Sequence, residues 1–187
     1  MVAEDGGSSA VFSCADSSRL SYEGELDDEG RYCGYGVLTC APADGSRATT
    51  RWNGWTYSGE WSRGLKHGLG EFTATNTPYC YTGMWSNDFM HGNGVEIGSD
   101  RTEYKGEWLR GLKHGNGVIT HTNGDTYSGC WSHGKPDGNG VETLANGDEY
   151  SGEFRNGLYH GYGTLTTQRW TYCGEWVSIK QARTEQM

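Results

Sequence analysis

The chain has 187 residues and a formal charge of −9, from 15 Lys+Arg against 24 Asp+Glu, a length that suits one domain. Leu, Ile, Val and Phe together number 24, too few for an ordinary aliphatic core, yet 13% aromatic residues, eight Trp and 31 Gly exclude a disordered composition. The acidic balance argues against a nucleic-acid partner, and no apolar run approaches the ~18 residues of a membrane-spanning helix.

Residues 1–20 form an N-terminal segment with room for one capping strand. Met1 to Ser13 has no basic start and no long apolar stretch, so it does not read as a signal peptide. The six cysteines (Cys14, Cys33, Cys40, Cys80, Cys130, Cys173) make no C-x-x-C pair. That spacing predicts reduced thiols in a cytoplasmic protein.

From residue 21 to 177 the chain repeats itself. A degenerate copy opens at Tyr22-Glu-Gly24-Glu-Leu26 and reaches Cys33-Gly-Tyr-Gly36. A long link, residues 41–56, follows, with a turn at Asp44-Gly45 and two tryptophans, Trp52 and Trp55. Those two residues have two open readings: they cap the first edge of a sheet, or they anchor a partner. Regular copies begin at Tyr57-Ser-Gly59-Glu-Trp61 and recur at Tyr81-Thr-Gly83-Met-Trp85, Tyr104-Lys-Gly106-Glu-Trp108, Tyr127-Ser-Gly129-Cys-Trp131 and Tyr150-Ser-Gly152-Glu-Phe154. A half-copy, Tyr172-Cys-Gly174-Glu-Trp176, precedes a tail at 178–187. Ten residues after each of the first three regular tyrosines stands His67-Gly-Leu-Gly70, His91-Gly-Asn-Gly94 or His114-Gly-Asn-Gly117, then Asp137-Gly-Asn-Gly140 and His160-Gly-Tyr-Gly163.

Each copy reads as two short strands. Tyr-x-Gly-x-Trp alternates with period two, and β-branched residues follow Gly-x-Gly, as in Val95-Glu-Ile97. Glycines between the halves supply positive φ for hairpins, and Asp88 tolerates the same region. The links, such as Thr122-Asn-Gly124-Asp, are hairpin-like too. The predicted fold is therefore all-β: an elongated, single-layer antiparallel meander of about six hairpin repeats, with about twelve strands and a length of ~55–60 Å. Glycine inside a strand is tolerated where a ring lies over it, so the predicted packing is aromatic on glycine. Strand register stays open, because four- and five-residue turns fit equally well. The choice decides whether His91, Asn93 and Val95, or Gly92 and Gly94, share a face with Trp85.

Tyr-x-Gly-x-Trp followed by x-x-Gly-x-x-His-Gly-x-Gly at this period resembles the MORN (membrane occupation and recognition nexus) repeat. The resemblance departs at Leu26 and Phe154 for Trp, at Cys33 and Asp137 for His, and in the long first link. It implies elongated one-layer sheets that act as scaffolds, often dimerise, bind partner helices along a groove, or tether complexes to cytoskeleton, cilium or membrane.

The histidines His67, His91, His114 and His160 invite a metal reading. Equivalent atoms two strands apart stand ~9.6 Å from one another, too far to converge on one ion, so turn-closing hydrogen bonds are the expectation. There is no phosphate-cradling loop and no nucleophile elbow. The predicted protein is not an enzyme and takes no cofactor or metal. Its partner-binding candidates are the rings of an uncovered face: Tyr57, Trp61, Tyr81, Trp85, Tyr104, Trp108, Tyr127, Trp131 and Tyr150, with Trp52 and Trp55 as modifiers. The expected partner is a protein, as an amphipathic helix or a second copy. Charge divides by edge. The turns within copies hold six bases (Arg63, Lys66, Arg110, Lys113, Lys135, Arg155) against Asp88, while the links hold Arg101 against Asp100, Glu103, Asp125, Asp148 and Glu149. The alternative function is a peripheral tether that binds acidic phospholipid through the basic edge, disfavoured by the acidic total.

Overall fold

The computed structural model describes residues 8–13, 19–41 and 54–179. It is all-β and falls into two units, Met1–Arg101 and Thr102–Met187. The first holds β1 (Ser8–Ser13), β2 (Arg19–Leu26), β3 (Tyr32–Ala41), β4 (Trp55–Ser62), β5 (Leu65–Ala74), β6 (Cys80–Ser86) and β7 (Phe89–Ile97). The second holds β8 (Glu103–Leu109), β9 (Leu112–Thr120), β10 (Thr126–Ser132), β11 (Lys135–Thr143), β12 (Glu149–Arg155), β13 (Leu158–Thr166) and β14 (Thr171–Ile179). Within each unit strands pair in sequence order, all antiparallel, as an open meander of hairpin repeats. The Trp52 portion of the long first link lies outside the described residues.

The hairpin turns are shorter than either alternative the sequence left open. Ser62 pairs with Leu65 and Leu109 with Leu112, so two residues make each bend. Both have positive φ: Arg63 at 52° and Gly64 at 82°, Asn87 at 50° and Asp88 at 68°, Asn156 at 52° and Gly157 at 79°. This is the mirror-image turn whose twist matches that of the strands. The remaining slack goes into a bulge. Gly59 pairs with Gly70 but Glu60 with His67, leaving Gly68 and Leu69 as extra residues, with Gly68 at a φ of 55°. The same offset recurs in β6–β7, β8–β9 and β12–β13.

These pairings settle the faces. Met90 opposes Trp85, Gly94 opposes Gly83 and Glu96 opposes Tyr81. Gly94, Met90 and Glu96 therefore share the face of Trp85, whereas His91 and Val95 oppose Met84 and Thr82 on the other. We call the face that carries Tyr and Trp the packed face, and its opposite the outer face.

Candidate functional site

The packed face is built around glycine. From β2 to β7 and again from β8 to β14, each strand meets its neighbour glycine to glycine, for example Gly36↔Gly59↔Gly70↔Gly83 and Gly140↔Gly152↔Gly163↔Gly174. The ring of Tyr57 lies across one such pair. A Cβ added at Gly70 would stand 2.6 Å from its Cζ, and one at Gly59 would stand 2.7 Å from its Oη. Tyr81, Tyr104, Tyr127 and Tyr150 repeat the arrangement. Each ring spans the bulge to reach backbone carbonyl groups beside it. Tyr57 Oη donates to Glu60 O at 3.0 Å and to His67 O at 3.5 Å, Tyr150 Oη to Glu153 O and His160 O at 3.0 and 3.3 Å. Burial holds the phenols of Tyr57, Tyr81, Tyr127 and Tyr159 well above the usual range, and raises Tyr22 to about 12.

Tryptophan binds the copies together. Trp61, Trp85, Trp131 and Trp176 donate Nε1–H to the carbonyls of Gly36, Gly70, Gly117 and Gly163 in the preceding copy, at 3.0–3.1 Å. Tyr57, Tyr104, Tyr127 and Tyr150 then sit edge-on between two rings, Tyr57 between Trp61 (5.0 Å) and Trp85 (5.2 Å), Tyr127 between Trp131 (5.2 Å) and Phe154 (4.8 Å).

This packing corrects the expectation of an uncovered aromatic stripe. Tyr57, Trp61, Tyr81, Trp85, Tyr104, Trp108, Tyr127, Trp131 and Tyr150 are all buried, between 0 and 7% exposed. Among the described residues no second layer hides them. They hide one another, and in four copies a residue after the turn folds over the tyrosine. In two it is a ring: Tyr32 stacks on Tyr22 at 4.0 Å and Tyr159 on Tyr150 at 3.7 Å. In the other two it is lysine. Lys66 Nζ stands 5.1–5.3 Å from the ring centres of Trp55, Tyr57, Phe72 and Trp85, and Lys113 Nζ stands 4.9 Å from Tyr104. Desolvation lowers the Lys66 ammonium from its usual range. Lys66 and Lys113 therefore leave the basic edge assigned to them. Arg63, Arg110, Lys135 and Arg155 remain exposed at the turns. Trp55 stacks on Phe72 at 5.6 Å as part of the sheet.

The histidine side chains close no turns. It is their backbone carbonyls that tyrosine engages, and the rings of His67, His91, His114 and His160 belong to the outer face. Among the described residues no three His, Cys, Asp or Glu side chains gather as a metal site. Asp137 differs from the histidines it replaces, accepting the Asn156 N–H at 3.0 Å.

Sequence reasoning missed the fourth residue of the motif. Glu60, Glu107 and Glu153 each lie against the bulge glycine and accept the next backbone N–H, from Leu69 (2.9 Å), Asn116 (2.8 Å) and Tyr162 (3.1 Å). Its signal was present in the recurrent Gly-Glu-Trp triplet. Sequence reasoning also missed the outer face of the first unit, where Tyr35 (62%), Leu65 (38%), Leu69 (63%), Met84 (43%) and Phe89 (54%) are exposed together. Leu69 pairs directly with Met84, and Phe89 with Ser86 beside it. Large apolar groups gathered on one face mark an interaction surface.

The family model described as MORN repeat matches residues 22–45, 57–76, 81–103, 104–126, 127–149 and 150–170. No curated protein matches the chain.

Proposed function

The chain belongs to the MORN repeat family, whose repeats are generally non-catalytic binding modules, and on that premise we propose that it is a scaffold that holds a protein partner on the outer face of its first unit. The exposed cluster of Tyr35, Leu65, Leu69, Met84 and Phe89 carries this reading. The tyrosines and tryptophans of the packed face are consumed by the fold, so a partner has to read what the repeats leave outside. Leu69 and Met84 side by side suit the apolar stripe of an amphipathic helix.

The test is a paired affinity purification from the native cell, with the wild-type chain and with L69E/M84E. Both sites face solvent, so the variant folds, as circular dichroism checks, with a melting temperature lowered only by the two carboxylates now directly opposed. Partners lost with the variant, and rebound as purified proteins only by the wild type, support the proposal. An unchanged partner set counts against it.

A second reading rests on the tip of the β8–β9 hairpin, where exposed Leu109 (42%) and Leu112 (48%) flank exposed Arg110, with Lys135 and Arg155 at neighbouring turns. Apolar and basic groups together suit an acidic lipid surface, at ~1 kcal/mol per base. Co-sedimentation with phosphatidylserine vesicles at physiological salt, abolished by R110E/L112E, would favour it.

A further inference from the structure

Lys66 carries its charge into the packed face of the first unit. The two-residue bend pairs it with Trp61, which turns its side chain towards the rings of β4, β5 and β6. Its Nζ stands 5.2 Å from the ring centre of Trp55, 5.3 Å from those of Tyr57 and Phe72, and 5.1 Å from that of Trp85. Four rings at nearly one distance make a cage, and the fold holds its walls. Tyr57 is tied by its hydroxyl to Glu60 O, Trp85 by its Nε1–H to Gly70 O, and Trp55 stacks on Phe72. The equivalent residues Tyr32, Met90, Pro136 and Tyr159 bring no cation. Lys113 has a looser site, 4.9 Å from Tyr104 but 6.0 and 5.9 Å from Trp108 and Trp131.

An ammonium is a poor occupant of such a cage. It brings three N–H donors, and among the described residues Lys66 Nζ meets no hydrogen-bond acceptor and no ion-pair partner. Asp88 uses its Oδ1 to accept the Lys66 backbone N–H instead, at 2.9 Å. The lost hydration shows as desolvation, which lowers the ammonium from the usual lysine range. Distance points the same way. A methyl group on the nitrogen, at a bond length of about 1.5 Å, would stand about 3.6–3.8 Å from the centre of a ring it faces, an ordinary carbon contact. A quaternary nitrogen keeps the charge that the rings attract and has no N–H left to satisfy.

We propose that Lys66 is a methylation site and that its trimethylated form is the occupant this cage fits. The stem of Lys66 already delivers the nitrogen to the middle of the rings, so the group that completes the site belongs to this chain. The side chain is half-buried and no second layer covers it among the described residues, so rotation of the stem brings the amine to solvent. There a separate methyltransferase supplies a sulfonium methyl donor. The neutral amine attacks the methyl carbon, the N–C bond forms as the C–S bond breaks, and the electron pair stays on sulfur to leave a thioether. A proton then passes from nitrogen to solvent, restoring the lone pair for the second transfer and again for the third, after which the nitrogen is permanently charged. The site lies on the packed face and makes no use of the outer surface assigned to a partner.

The first experiment is peptide mapping by mass spectrometry of the full chain purified from its native cell. It is expected to find three methyl groups on Lys66 and none on Lys105, Lys113 or Lys135, and a bare Lys66 overturns the proposal. Cage fit is read separately on unmodified chain treated with formaldehyde and a borane reductant, which places two methyl groups on each reactive lysine. Treatment is expected to raise the melting temperature of the wild type by about 2–4 °C more than that of K66M treated alike, which controls for the other lysines. W55A, which removes one wall, is expected to lose at least half of that gain; circular dichroism checks its fold, and the pair of wild type and K66M decides the outcome without it. A wild type that gains no more than K66M, or one whose Lys66 stays bare while Lys105 is methylated, also overturns the proposal. Neither readout depends on partner capture through Leu69 and Met84.

Discussion

Replacing Gly70 by alanine tests the aromatic-on-glycine packing at its tightest point. The added Cβ would lie 2.6 Å from Cζ and 2.7 Å from Cε2 of Tyr57, against ~3.5–4.0 Å for an ordinary carbon contact, an overlap of about 1 Å. The ring has no space to withdraw into. It is held between Trp61 and Trp85, lies under Lys66, and is tied by its hydroxyl to Glu60 O and His67 O. Ejecting it forfeits ~1.5–3 kcal/mol of burial, about 1 kcal/mol of hydrogen bonding and ~0.5–1.5 kcal/mol for each edge-on ring pair. Parting the strands is the lesser disturbance, at ~1–3 kcal/mol, and the stiffer unfolded chain returns ~0.4–1 kcal/mol. G70A should therefore destabilise by about 1.3 kcal/mol, read from urea unfolding followed by far-ultraviolet circular dichroism. L69A, one residue away and exposed, should stay within about 0.5 kcal/mol of the wild type. In a Y57A background the overlap is gone and G70A should stabilise by ~0.4–1 kcal/mol through the stiffer unfolded chain, a coupling of about 2 kcal/mol. A G70A chain as stable as the wild type, or costs that simply add in the double variant, would refute the packing argument.

Trp131→Phe should lose about 1–2 kcal/mol, because it removes the Nε1–H that serves Gly117 O at 3.0 Å and leaves the carbonyl short of a donor; hydrogen exchange should show the loss locally at β9 and β10. Lys66→Met copies the residue that stands at Met90 and should leave stability at pH 7 within about 1 kcal/mol, since cation–ring attraction and desolvation offset. The Lys66 pKa is lowered in the fold, so the unfolded chain binds more protons and stability gains as pH climbs from the folded value towards the unfolded one; K66M should abolish that gain in urea titrations at successive pH. The tyrosines act in the opposite sense: their folded pKa is raised, so stability is fully present below ~10 and is lost as pH rises beyond it. Phenolate absorbance should then appear together with loss of circular dichroism, and a free titration of the buried phenols near pH 10 with the fold intact would contradict it.

The repeat and its glycine logic were legible because six copies state them redundantly. Tyr57 over Gly70 is a local relation that spacing alone exposes. Turn length was less legible, since a backbone bulge carries no residue type of its own. Its traces were the Asn156-Gly157 dipeptide, a strong signal for a two-residue hairpin, and the glutamate of Gly-Glu-Trp, whose carboxylate caps the bulge amide. Lys66 and Lys113 were misplaced for the same reason. Counting charge along a turn assigns them to an edge, whereas the two-residue bend pairs Lys66 with Trp61 and Lys113 with Trp108, and so points both lysines at the rings.

Burial without a second layer also decides where specificity resides. Tyrosine, glycine and tryptophan recur because any change there meets an atom within contact distance, as the added Cβ at Gly59, Gly83 or Gly106 would meet the facing glycine at 2.5 Å. The residue between the paired glycines meets no such limit. It is Tyr35, Leu69, Asn93, Asn116, Asn139 and Tyr162 in successive copies, exposed in every one. At Leu69, Asn116 and Tyr162 the glutamate carboxylate accepts the residue's own N–H and fixes its backbone, while its side chain lies exposed. A repeat sheet of this kind separates its residues by position: identical residues build the sheet, and the residue between two glycines, exposed in each copy, is free to vary from one copy to the next. In the first unit that position is apolar at Tyr35 and Leu69, and Met84 takes the place of the usual glutamate, so that Leu69 and Met84 form a directly paired apolar contact. In the second unit it is asparagine at Asn116 and Asn139, with Glu107 and Glu153 retained, and tyrosine again at Tyr162.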